Sequence, residues 1–125
     1  MSGNFSVVAM ELNAGTVLAL SGDLDRDTAA PLREALEAVL GGADAPATGR
    51  LLVDCGGLRF CDSTGLNLLL RARQTAEDSG GALELAALQQ PVARMFEITG
   101  AGGVFTVHRD LAAAFAHGDG GGGTP

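Results

Sequence analysis

The chain opens on a short run, Phe5 to Leu12, whose apolar and β-branched positions have the character of a strand. Asn13-Ala14-Gly15 is a turn signal, and Thr16 to Ser21 reads as a second strand, so the two are expected to form an antiparallel hairpin. The periodicity then changes. Gly22 to Thr28 is polar and reads as a loop, and beyond it Leu32, Ala35, Leu36, Val39 and Leu40 recur at helical spacing. Asp27 or Thr28 is the expected N-cap, Pro31 is tolerated in the first turn, and Gly41-Gly42 ends the helix.

Ala43 to Gly49 reads as a loop, and Leu51 to Cys55 as a short strand whose apolar residues, broken only by Asp54, imply burial on both faces. After a further short loop, a second helix is expected from about Thr64 to Asp78, with Leu66, Leu69, Leu70 and Ala76 inward and Gly80-Gly81 as its stop. Leu83 to Ala86 is another strand. Pro91 opens a short helix that gathers Val92, Met95 and Phe96 on one side, and Gly100 closes it. Val104 to Val107 is expected to be the last strand, and Asp110 to cap a final helix through Leu111 and Phe115.

The order ββαβαβαβα describes a single α/β domain: a mixed sheet with an antiparallel first edge strand, followed by repeated αβ units with parallel strands. Right-handed crossovers between neighbouring strands would place the connecting helices on one side. The domain is expected to span residues 1–117. Residues 118–125 are Gly-rich, lack an apolar face, and read as a flexible tail.

Composition narrows the function. With 125 residues, 46% of them hydrophobic and 18% charged, the chain can bury a core as one domain. It has no apolar run of about 18 residues, and Met1-Ser2-Gly3-Asn4 lacks the features of a signal peptide, so a cytoplasmic location without membrane attachment is expected. The net charge of −7, with no Lys and scattered Arg, argues against nucleic acid and suits a protein partner with a basic surface. Cys55 and Cys61 match neither CxxC nor a zinc pattern; they read as small buried hydrophobes, with a redox pair as the alternative.

The candidate chemistry lies in Phe60-Cys61-Asp62-Ser63-Thr64-Gly65-Leu66, where a loop becomes a helix N-terminus. Three readings are open: a helix cap, a presented hydroxyl able to carry a phosphate, or a catalytic serine. Catalysis would require the Gly-x-Ser-x-Gly elbow, which Cys61-Asp62-Ser63-Thr64-Gly65 does not provide. The available bases, His108 and His117, are assigned surface or capping roles. Asp23, Asp25, Asp27 and Glu34 have the spacing of calcium-loop ligands, but Thr28 replaces the obligatory Gly and Pro31 falls within the loop, so they are read as a solvated acidic loop. Gly100 to Gly103 is a turn, and no cofactor, metal or nucleotide site is evident. Because loops after the C-termini of parallel strands share one edge of a sheet, the Asp23–Asp27 loop and Ser63 are expected on the same rim.

These residues resemble the STAS domain family, most closely its bacterial anti-sigma factor antagonists. The likeness is carried by Leu20-Ser21-Gly22-Asp23-Leu24-Asp25, by Leu52 through Leu66, and by Pro91 through Gly100, and it extends over roughly residues 5–116. It implies a STAS-like fold and a non-enzymatic switch. Ser63 would be phosphorylated by a cognate anti-sigma factor, a serine kinase of the histidine-kinase-like ATPase fold. The unphosphorylated form would bind that kinase and release sigma factor, and a phosphatase would restore it. The partner surface implied by the resemblance comprises Asp23, Asp25, Asp62, Ser63, Thr64, Gly65, Leu66 and Asn67. The alternative is a STAS scaffold or ligand-sensing subunit of a larger assembly that is not phosphorylated.

Overall fold

Two glycine-containing segments that read as loops are strand. In the computed structural model, which describes residues 4–12, 15–41 and 49–119, β1 (Phe5–Leu12) pairs antiparallel with β2 (Gly15–Leu24), and β3 runs the full length Arg50–Cys61 parallel to β2. The expected loop at Gly22–Leu24 and the expected end of β3 at Cys55 are therefore corrected. The β2–β3 register shifts between Ala19 and Ser21 and again between Gly22 and Asp23. A Cβ on Gly57 would stand 2.6 Å from the Ser21 hydroxyl and 2.8 Å from the Leu20 carbonyl. Glycine serves there to let two backbones approach, not to turn the chain.

α1 (Ala30–Leu40) follows β2, α2 (Ser63–Asp78) follows β3, and α3 (Gln90–Thr99) follows β4 (Ala82–Ala86). A 3₁₀ turn at Ala101–Gly103 leads to β5, only Val107–His108, and then to α4 (Leu111–Asp119). The last strand is shorter and later than the apolar run Val104 to Val107 suggests, because Phe105 turns inward and packs against Phe96 with ring centroids 5.8 Å apart and the rings tilted by 35°. Strand order is β1-β2-β3-β4-β5, with β2 through β5 parallel. The mixed α/β sheet with one antiparallel edge is as expected.

α1, α2 and α3 share one face of the sheet. Leu32 and Leu36, Leu66, Leu69, Ala72 and Ala76, and Val92 and Phe96 meet Leu18, Leu20, Leu51, Val53, Leu83 and Leu85 in the main core. α4 lies on the opposite face, where Ala114 and Leu111 cover Val17 and Leu52. Asp110 caps it, its carboxylate accepting from the Ala113 amide at 2.8 Å. α1 differs from expectation at its start: Ala29 is the N-cap and offers no side chain. Thr28 is turned inward and Asp25 ties the preceding turn together instead. α4 runs through Gly118 and Asp119, the first two residues of the expected tail, which corrects its start. The turn at Asn13-Ala14, the loop through residues 42–48, residues 120–125 and the His117 ring lie outside what is described.

Candidate functional site

The end of β3 and the start of α2 are joined by a single extended residue, Asp62, with φ −98° and ψ −173°. Its carboxylate accepts from the Gly65 amide at 3.1 Å, and its carbonyl accepts from the Leu66 amide at 3.0 Å. This is a side-chain N-cap, and it begins a 16-residue helix. Ser63 is the first helical residue and is exposed. Its hydroxyl has no hydrogen-bond partner among the described residues, and it stands at the positive end of α2.

What sets this helix mouth so low on the sheet is Gly65. It is buried, and a Cβ there would stand 2.6 Å from Leu24 and 3.0 Å from the Cys61 sulfur. The Asp62 amide also donates to the Leu24 carbonyl at 3.0 Å, so the end of β2 is joined directly to the cap of α2. The register does the rest: Asp23 lies beside Phe60 and Leu24 beside Cys61. Asp23, Asp25, Asp62 and Ser63 therefore occupy one rim.

Within that rim the carboxylates are not equivalent. Asp25 accepts from the Asp27 amide at 2.8 Å and the Thr28 amide at 3.0 Å, so it is committed to holding its own turn. The Thr28 hydroxyl donates to the Asp23 carbonyl at 2.8 Å and closes the same turn. The Asp23 carboxylate is 3.5 Å from Arg59, an exposed pair of small energetic worth. Thr64 is half-buried and Asn67 exposed, while Gly65 and Leu66 are buried and support the rim from beneath. Phe60, which sequence reasoning passed over as a contact residue, is 49% exposed beside this rim. The signal that could have found it is an aromatic residue immediately before the buried Cys61.

Both cysteines are free and buried. Burial first, and the Asp62 charge second, push the Cys61 thiol up to about 12, and burial pushes Cys55 higher still. They are neutral thiols packed as small hydrophobes.

His108 is neither a surface nor a cap residue, which corrects the expectation. Its ring is nearly buried on the sheet face opposite α2, and its Nε2 lies 2.9 Å from Glu84 Oε1. Arg50 donates to the same oxygen through Nε at 2.9 Å and Nη2 at 2.7 Å, and Nη2 also reaches the Ala114 carbonyl of α4 at 2.7 Å. Burial alone would raise the Glu84 pKa, but the hydrogen bonds from His108 and Arg50, aided by their charge, outweigh it and hold the carboxyl below its usual range. This half-buried network clips α4 to the sheet. It is remote from Ser63, whose helix packs on the other face.

The fold and the rim together define a small α/β module whose distinctive chemistry is a presented serine hydroxyl over a buried glycine and an aspartate cap. A family model described as "Mlab, STAS domain" matches residues 8–111. The chain belongs to the STAS domain family. Solved structures share the fold. An anti-sigma factor antagonist from Mycobacterium paratuberculosis superposes with a TM-score of 0.78 at 24% identity, covering 94% of this chain and 97% of that one. The unphosphorylated anti-sigma factor antagonist SpoIIAA gives a TM-score of 0.74 at 22% identity, covering 92% and 97%. The murine anion transporter Slc26a9 gives 0.70 at 18% identity, covering 93% of this chain but 22% of the transporter. Among the described residues, no helix is long and apolar enough to cross a membrane.

Proposed function

We propose that this chain is an anti-sigma factor antagonist that binds an anti-sigma factor serine kinase through the rim around Ser63, thereby releasing sigma factor. Phosphorylation of Ser63 ends that binding, and a phosphatase reverses it. The observation that carries this reading is the exposed Ser63 hydroxyl at the first position of a firmly capped helix. Such a hydroxyl can enter another protein's active site without unfolding its own domain. A phosphate there adds a charge of roughly −1.5 to −2 and three bulky oxygens. It would stand next to Asp62 and alter the surface the partner meets, while the buried underside at Gly65 and Leu66 stays in place. The similarity to two antagonists supports the reading. The chain acts as a substrate and a ligand, not as a catalyst: His108 is bonded to Glu84 on the opposite sheet face, so it offers Ser63 no base.

The experiment is phosphate transfer and binding with purified kinase and ATP. Ser63→Ala should still bind and take up no phosphate at this site, and Ser63→Asp should bind more weakly. Normal phosphorylation of Ser63→Ala, with the phosphate mapped to Thr64, would sink the assignment. A second reading is a STAS scaffold within a larger assembly, favoured by the transporter whose structure contains the same fold. An unmodified intact mass in cells and in kinase assays would support it.

A further inference from the structure

The sheet has two edges, and they are built differently. β5 is two residues long, which by itself leaves little to pair with. β1 is eight residues long, with no Pro, Lys or Arg and no register shift against β2, and nothing among the described residues pairs with its outer side. Natural sheets normally protect such an edge with one of those devices.

The hydrogen-bonding direction of each residue in β1 follows from its register. The Asn4 carbonyl accepts from the Asp23 amide at 3.1 Å, and partners alternate along an antiparallel pair. Ser6, Val8, Met10 and Leu12 therefore bond to β2, and Phe5, Val7, Ala9 and Glu11 direct their amides and carbonyls outward. On the sheet face opposite the main core, Val8, Met10 and Leu12 are 58%, 46% and 46% exposed.

We infer that β1 pairs antiparallel with β1 of a second copy, across a two-fold axis near Ala9, to give a continuous ten-stranded sheet. A second strand would replace the water on this row of outward backbone groups with direct hydrogen bonds, and β1 is complementary to itself. In this register Val8 lies across from Met10 of the second copy, and the reverse, so the exposed apolar row continues through the axis. Charge permits it. The chain carries −7 overall, but Glu11 is the single charge in β1. The two Glu11 residues stand four residues apart along the strands, about 14 Å at ~3.4 Å per residue. That exceeds the Debye length of about 8 Å at physiological salt. A strand-to-strand contact is small beside the roughly 1,200–2,000 Å² of a stable interface, so the dimer depends on concentration.

Sedimentation equilibrium of the full chain from micromolar to millimolar concentration tests this. The expected average mass rises from the 12.6 kDa monomer toward twice that value. Ala9→Pro removes an outward amide that β2 does not use, at an edge where Pro is tolerated. It should keep the far-UV spectrum and weaken association at least tenfold. Should it fold poorly, Val8→Lys decides, because it sets two ammonium groups close to the axis and should hold the protein monomeric at low salt. A wild-type mass of 12.6 kDa at every concentration overturns the inference, as does association undiminished in a folded variant.

Discussion

Replacing Gly65 with Ala puts the largest structural demand on the rim for the smallest change in chemistry. The added methyl would begin 2.6 Å from Leu24 Cγ and Cδ2 and 3.0 Å from Cys61 Sγ. Carbon atoms pack at about 3.5–4.0 Å, so one side must move by roughly an ångström. Leu24 is fully buried and Cys61 is 3% exposed, which leaves neither much room to yield. Overpacking of this kind costs about 1–3 kcal/mol. Alanine in a helix returns about 0.8–1.0 kcal/mol relative to glycine. The net expectation is a destabilisation of about 1 kcal/mol, or about 4 °C in Tm for a domain of this size. Urea unfolding followed by circular dichroism measures it. The cause is isolated by a double-mutant cycle with Leu24→Ala. That variant alone should cost about 2–5 kcal/mol, but less in the Gly65→Ala background, where the methyl occupies part of the cavity. If Gly65→Ala stabilises the protein, or the two substitutions simply add, the contact with Leu24 is not why glycine stands there.

Glu84→Gln should show a pH signature. The folded carboxyl sits below its unfolded value, so its contribution is complete above the unfolded pKa and fades as pH falls through the folded one. The stability gap between wild type and Glu84→Gln should therefore be present at pH 7 and shrink below about pH 4, read by urea titration at several pH values. A gap independent of pH would mean that the carboxylate charge is not what holds Arg50 and His108. The cysteines should resist alkylation in the native state. With Cys61 held near 12, only about one thiol in ten thousand is ionised at pH 8, before its burial slows attack further. Iodoacetamide should label both cysteines only after unfolding, and rapid native labelling at either would contradict the packing.

How legible each element was depended on how local its cause is. α3 could be read from Pro91 to Gly100 because its apolar spacing and its left-handed C-cap at Gly100 are properties of neighbouring residues. The cap of α2 was legible for the same reason: Asp62 bonds to Gly65, three residues away. Gly22 and Gly57 misled because glycine signals a turn when only its neighbours are considered. The shifted β2–β3 register, in which backbones from different strands crowd together, uses the same freedom within a strand. Thr28 misled in the same way, since its hydroxyl had a better partner in the Asp23 carbonyl than in the helix that follows.

The sequence by itself determined the order of elements, the single domain, the α/β class and the serine at a helix mouth, because hydrophobic period and capping act over a few residues. Tertiary structure alone decided the rest. Parallel strands bring Asp23 beside Phe60 and Arg50 beside Ala82, across separations that no local pattern encodes. That register fixes the contacts within the rim that the order of strands and loops already implied for Asp23, Asp25 and Ser63, and makes Gly65 necessary under Leu24. It also brings Arg50, Glu84 and His108 together on the far face, where they hold α4. Side chains distant in the chain become partners only once backbone hydrogen bonds have set how far each strand slides past the next.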